Sequence, residues 1–325
     1  MKVYILDDWF DTLRALPCFD LLRGHDVTVW TDHEPDPARL AARVADAEAL
    51  VLFRERTKIT AELLSRLPNL RLVSQRSVYP HIDVPACTEN GVLLCSNMHA
   101  GTPSYAAAEH TLALILASYR QIPDQVASIR AGAWQAGVGR TLRGRTLGLY
   151  GYGRIAGAVA TYAAALGMNV QWWSSDDGRA RARADGAQVA DSREAFFATS
   201  DIVSVHVRLK PATRGIITGD DLATMQDRAL FVNTSRSGLV VPGALEAEIA
   251  RGRIFAAVDV FDTEPLRDVT HPLLTHPNVL PTPHLGYVTE DEFDLQFTDI
   301  FEQVNAYANG APIHMINPEV WDERA

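Results

Sequence analysis

Arg236, Glu264 and His284 are residue types that together can hold an anion and move a proton. Each follows a short apolar run that reads as a strand, within the phrases 231–238, 257–265 and 281–286. In an open parallel sheet the strand carboxyl ends face the ligand crevice, so the three side chains could converge there. An imidazolium can give up a proton near neutral pH, and a neighbouring carboxylate favours and orients the charged ring. A guanidinium can grip a carboxylate and polarise the carbonyl beside it. Such a set would suit reduction of a 2-oxo acid, where the developing alkoxide needs a proton.

A second motif offers a place for the hydride carrier. Residues 146–150 read as a strand, followed by Gly151-Tyr152-Gly153-Arg154-Ile155-Ala156 and a helical run over 157–166. This is the Gly-x-Gly-x-x-Gly/Ala pattern in its strand–turn–helix setting. Gly151 permits the tight turn, Gly153 lets backbone approach a pyrophosphate, and the small Ala156 allows helix to pack on strand. The cofactor expected is NAD or NADP. The next strand, 169–173, ends in Ser174 where an acid would normally accept the ribose hydroxyls. Asp176 and Asp177 come slightly late, while Arg179 and Arg181 are near enough to attract a 2′-phosphate. NAD is slightly favoured.

Positioning these loops requires a parallel α/β frame. The chain has 325 residues, 47% hydrophobic and 22% charged, which is enough for two ordinary globular domains. Strands are expected at 3–6, 26–30, 49–53 and 71–74, with helices at 38–47 and 61–67. A long apolar helix follows at 104–119. The alternation then restarts with strands at 146–150, 169–173, 202–206, 229–233, 256–260 and 279–281, before a tail helix over 290–310. The fold class expected is α/β, with two Rossmann-like doubly wound parallel-sheet domains and the active site expected in the cleft between them. Residues 1–98 plus 290–325 form the substrate (catalytic) domain, and 99–289 form the dinucleotide-binding domain.

Lys and Arg total 30 against 40 Asp and Glu, a net charge of −10. That balance offers no general attraction to nucleic acid or to an anionic membrane, so local cations must draw in an anionic substrate. Cys18, Cys87 and Cys95 are scattered without CxxC spacing, as reduced thiols of a cytoplasmic protein would be. The first residues read as a strand rather than a signal peptide, and no run is long enough to span a membrane. The histidines have no metal-ligand spacing, so no metal is expected.

Over nearly its whole length the chain resembles the D-isomer-specific 2-hydroxyacid dehydrogenases. The resemblance rests on the glycine turn, Ser204-Val205-His206-Val207, 233–238, 259–265 and Pro283-His284-Leu285-Gly286. It implies that a D-2-hydroxy acid and its 2-oxo acid are interconverted, with Arg236 binding substrate and His284 as acid/base paired with Glu264. It also implies a cofactor set of Gly151, Gly153, Arg154, Ile155, Ser174, His206, Val207, Thr234, Asp259 and Gly286. Asp259 would contact the nicotinamide carboxamide, and His206 and Val207 would border the ring. A homodimer built on the helix near 104–119 is implied as well.

The substrate side departs from the family. Its Gly-Val-Gly loop is replaced by Ser77-Val78-Tyr79, and Pro80 removes a backbone donor. Arg54, Ser77, Val78 and Tyr79 are the expected substrate-binding residues, with Arg56, Arg76 and His81 close by. The three arginines suggest an acid carrying a second polar or anionic group. His99 and Tyr105 are candidates for pocket wall, whereas Glu109 and His110 read as structural. Two other readings compete: a non-catalytic NAD(H)-sensing binding protein of the same fold, and a phosphite-type dehydrogenase.

Overall fold

Alternation of apolar residues along the later strands fixes a sheet that is buried on both faces. In β6 (Thr146–Tyr150), Leu147 and Leu149 join one core cluster and Tyr150 the other. In β8 (Ile202–Val205), Ile202 joins the first, while Val203 and Val205 join the second. In β9 (Leu230–Asn233), Leu230 and Val232 lie opposite Phe231. A strand buried on both faces must be covered by helices on both, which is the doubly wound arrangement.

The computed structural model describes residues 1–98 and 105–322. The chain divides into two units, Met1–Pro103 with Thr289–Ala325, and Ser104–Val288. The boundaries expected from sequence fall after residues 98 and 289. His99 and the stretch to residue 104 lie outside the described residues.

Unit 1 contains β1 (Lys2–Ile5), β2 (Asp26–Val29), β3 (Ala49–Val51), β4 (Leu72–Arg76) and β5 (Leu93–Asn97). Their order is β2-β1-β3-β4-β5, with every pairing parallel. Helices α1 (Pro37–Arg43), α2 (Ala61–Leu64) and α3 (Val84–Glu89) begin at Asp36, Thr60 and Asp83, whose side chains each accept an N–H of the first turn.

Unit 2 adds β7 (Asn169–Trp173), β10 (Phe255–Val258) and β11 (Val279–Pro281) to give the parallel order β11-β10-β9-β8-β6-β7. Its helices are α4 (Ala106–Arg120), α5 (Ile122–Arg130), α6 (Arg154–Ala165), α7 (Asp176–Ala184), α8 (Arg193–Thr199), α9 (Gly219–Thr224), α10 (Ala244–Ala250) and α11 (Pro272–Thr275). The tail helix α12 (Glu290–Ala308), followed by the short α13 (Glu319–Asp322), belongs to unit 1. It buries Phe293, Phe297, Ile300, Phe301 and Val304 at helical spacing, and Gln303 Nε2 donates to Ser74 Oγ of β4 at 3.1 Å.

Both sheets place their first strand between its two successors, so each has a switch point beside that strand. Strands β6, β7 and β11 keep the bounds read from sequence; β5 and α5 were not anticipated. Helix α5 buries none of its residues, which leaves no core-facing periodicity to read. All three cysteines are buried, and burial pushes each thiol up to about 12. Among the described residues no helix is long and apolar enough to cross a membrane.

Two glycines test this packing. A Cβ at Gly148, within β6, would meet the Phe196 ring at 2.8 Å and Ser200 Oγ closer still. Overpacking of that kind costs about 1–3 kcal/mol. Gly157, inside α6, has open space at the same position, and alanine there gains about 0.5–1 kcal/mol. Denaturant midpoints of Gly148→Ala and Gly157→Ala should therefore move in opposite directions, and a shared midpoint would contradict the arrangement.

Candidate active site

Every strand of unit 2 is parallel, so the loops after β6, β8, β9, β10 and β11 emerge on one edge. The loop after β6 is the glycine turn. Gly151 has φ +117°, and a Cβ there would collide with the carbonyl of His206. His206 in turn donates its N–H to Tyr150 O at 2.8 Å, sealing the turn from the β8 side. Its ring rests against Ser204 Oγ at 2.9 Å, and burial pulls its pKa down to about 4.

Gly153 is the N-cap of α6, with nothing within 4 Å of where a Cβ would stand. Helices α7, α8 and α9 start with capping side chains, from Ser175, Ser192 and Thr218. By contrast α6 has neither a side-chain cap nor an acid in its first turn. Its leading N–H groups and positive dipole end suit a pyrophosphate, and Arg154 and Ile155 are exposed beside it. The residues present fit a dinucleotide.

At the end of β7 the arginines are already engaged. Arg179 stacks 4.3 Å from the Trp173 ring, donates to Ser174 O and pairs with Asp176. Arg181 donates to Tyr152 O at 3.3 Å. Ser174 lies over Gly178, at the start of α7.

The two side chains expected to pair, His284 and Glu264, are in contact. His284 Nδ1 lies 2.6 Å from Glu264 Oε2, and Glu264 Oε1 accepts the N–H of Phe261 at 2.9 Å. Burial alone would raise the Glu264 pKa. The hydrogen bond and charge of His284, the Phe261 N–H and the charge of Arg236 outweigh it and hold the carboxyl below its ordinary value. Arg236 stands in a loop pinned by buried Asn233, whose side chain donates to Arg236 O and accepts from Ser235 N, each at 3.0 Å.

His284 has φ +56°, a left-handed conformation that costs a non-glycine residue about 1–3 kcal/mol. Asp259 holds it there. That carboxylate has no exposed surface, and it accepts Thr282 Oγ1 at 2.6 Å, Leu285 N at 2.7 Å and Gly286 N at 2.9 Å. Thus Asp259, at the end of β10, braces the histidine from both sides. Its fourth neighbour is His110 Nε2, at 3.1 Å. Thr111, the next residue, meets Thr234 Oγ1 at 2.8 Å. His110 read as structural in the sequence and Thr111 was not singled out; the clue available was a His-Thr pair on the apolar face of a helix.

In unit 1, Ser77 has φ +75°, so a serine holds a left-handed turn where the resemblance leads one to expect glycine. Its N–H is spent on Asn97 O at 3.1 Å. No described residue accepts from the N–H groups of Val78 or Tyr79. Tyr79 packs its ring on the unit 1 core. Arg54 is also left-handed, at φ +56°.

The neighbouring arginines are structural rather than presented to a ligand. Arg56 stacks 3.8 Å from the Trp9 ring and donates to Asp7 O at 2.6 Å. Arg76 is mostly buried and pairs with Asp299 at 2.6 Å and Glu292 at 3.8 Å. Of the three arginines expected to face an anion, two are thus neutralised or stacked within unit 1. His81 has both ring nitrogens shut off from solvent, and burial pulls its pKa down to about 4.

Known proteins share this organisation. Residues 112–286 match the family described as D-isomer specific 2-hydroxyacid dehydrogenase, NAD binding domain. The glyoxylate reductase of Aeropyrum pernix is 35% identical over 314 residues, covering 92% of each chain. The D-3-phosphoglycerate dehydrogenase of Mycobacterium tuberculosis is 39% identical over 290 residues, which is 86% of this chain and 53% of that one. The chain spans about half the length of the curated D-3-phosphoglycerate dehydrogenases it matches. A solved phosphoglycerate oxidoreductase from Vibrio cholerae is similar at a TM-score of 0.91 and 45% identity, over 96% of this chain and 100% of that one.

Proposed function

This chain belongs to the D-isomer-specific 2-hydroxyacid dehydrogenase family, and from that premise we propose that it interconverts a D-2-hydroxy acid and its 2-oxo acid. The supporting observation is the 2.6 Å contact between His284 and Glu264, set in the field of Arg236 on adjacent strand ends. Gly151, Gly153, Arg154 and Ile155 would hold a nicotinamide dinucleotide, which when bound supplies or takes up the hydride.

The protein's own groups do the rest. In the reducing direction His284 gives its proton to the substrate oxygen, and Glu264, ionised because its pKa is lowered, stabilises and orients the charged ring. Arg236 holds the substrate carboxylate and polarises the carbonyl. In unit 1 the N–H groups of Val78 and Tyr79, in the turn set by Ser77, would take a carboxylate, and Arg54 a second polar or anionic group. Asp176 and Asp177 favour NAD slightly. Ser174, standing where an acid would repel a 2′-phosphate, keeps NADP acceptable.

A panel of monocarboxylic, dicarboxylic and phosphorylated 2-oxo acids, assayed with NADH and NADPH, tests this reading. Turnover should be found, be best for an acid with a second anionic group, and discriminate between the cofactors by less than about a hundredfold, roughly 2.7 kcal/mol. His284→Ala should lose about 10²–10⁴-fold in kcat while binding NADH as wild type does. A wild-type protein that binds NADH yet turns over no acid would instead be a sensor or act on another donor such as phosphite.

A homodimer belongs to the same proposal. Ile122, Val126 and Ile129 are exposed at i, i+4 and i+7 on α5, followed by Trp134 at 72% and Val138 at 87% exposure. Large apolar side chains grouped on one face are usually covered. Sedimentation should give a dimer that Ile129→Asp weakens, and a monomeric wild type at micromolar concentration would remove the idea.

A further inference from the structure

His110 lies on α4 with its side chain 16% exposed, one turn into the helix. Its Nε2 faces two oxygens at 3.1 Å each, Asp259 Oδ1 and Thr282 Oγ1. Thr282 Oγ1 already commits its only hydrogen to Asp259. The carboxylate, ionised because its pKa is held below the ordinary value, can only accept. Neither oxygen can therefore donate to the ring, and Nε2 must carry the proton. The tautomer follows from the two neighbours.

That proton reaches the place where the acid/base loop is braced. Asp259 Oδ1 also receives Leu285 N, and Oδ2 receives Gly286 N, while Thr282 binds from the other side of His284. Gly286 lies close to α4 as well, since a Cβ on it would stand 3.8 Å from Ala107. The helix thus touches the brace at a side chain and at the backbone. Without the His110 donor the carboxylate would keep its three loop contacts but lose its contact outside the loop. Thr282 would lose the donor to its oxygen.

We propose that His110 is a positioning residue for His284: its Nε2–H fixes the Asp259–Thr282 pair, and that pair holds the left-handed turn that carries the acid/base imidazole onto Glu264. The inference rests on the assignment of His284 as acid/base, but the contact it predicts between His284 and Glu264 can be observed without turnover.

Three full-length variants test it. His110→Leu removes the donor; His110→Asn keeps a polar side chain but ends short of the Nε2 position; His110→Gln places an amide N–H near that position. In proton NMR of wild type, the short His284–Glu264 hydrogen bond should give a strongly downfield imidazole signal, identified by its absence in His284→Gln. The signal should persist in His110→Gln and be lost or broadened in His110→Leu and His110→Asn. With an accepted 2-oxo acid, kcat should fall about 10–100-fold in the two loss variants while KM and NADH affinity stay within about threefold, and His110→Gln should recover most of the loss.

If either folded loss variant keeps both the downfield signal and wild-type kcat, His110 does not position His284. Equal losses in KM, NADH affinity and kcat, unrelieved in His110→Gln, would mark a general packing defect and overturn the proposal too. If no acid is turned over but the signal follows the predicted pattern, the positioning role stands and the catalytic reading falls.

Discussion

A carboxylate with no exposed surface, Asp259, organises the candidate site of unit 2. Taking an ionised carboxyl out of water is costly unless hydrogen-bond donors replace the lost solvent. Here burial opposes ionisation, yet His110, Thr282 and the Leu285 N–H more than offset it. Two of those donors, together with Gly286 N, come from the residues flanking His284. The same contacts that make the buried charge tolerable therefore shape the turn that presents the imidazole. Because the Asp259 pKa is depressed on folding, its charge stabilises the fold above the unfolded value of about 3.9 and the contribution is lost as pH falls through the lower folded one.

Parallel construction does the remaining alignment. Strands β9, β10 and β11 are neighbours, and their carboxyl ends deliver Arg236, Asp259 with Glu264, and His284 to one edge in that order. The glycine turn after β6 reaches the same edge, closed from behind by the carbonyl of His206. Left-handed non-glycine residues include His284 at that edge and Arg54 and Ser77 in unit 1. Such conformations persist where surrounding bonds over-determine them. For His284 those bonds are the Asp259 contacts, and for Ser77 they are its N–H to Asn97 and the Gln75 and Ser96 side chains on its carbonyl.

The pair Glu264–His284 and the glycine turn were legible because residue type and position after a strand carry their meaning. The partnership of His110 with Asp259 was not, since 149 residues separate them and only the packing of α4 on the sheet brings them together. Arg56 and Arg76 misled for the converse reason. Their place beside Arg54 and Ser77 suggested an anion site, but nothing local reveals that Trp9 stacks on one and that Asp299, far along the chain, neutralises the other. Ser77 shows a third kind of gap: the sequence shows that glycine is replaced there, but not that serine takes up a left-handed backbone. At the fold level, β6, β7 and β11 kept their expected bounds while β8, β9 and β10 differ by one or two residues at an end, and α5, which buries nothing, was invisible to a reading based on core-facing periodicity.

In the proposed reaction a hydride passes to C2 of a 2-oxo acid while His284 protonates the oxygen. Its most direct test is the fate of an isotopic label. Reduction of an accepted 2-oxo acid with NADH carrying deuterium at both C4 positions, followed by chiral analysis and mass spectrometry of the product, locates the transferred hydrogen. One deuterium is expected at C2 of the D-hydroxy acid, with none incorporated from deuterated solvent when unlabelled NADH is used. Solvent-derived deuterium at C2, or a product of L configuration, would contradict it.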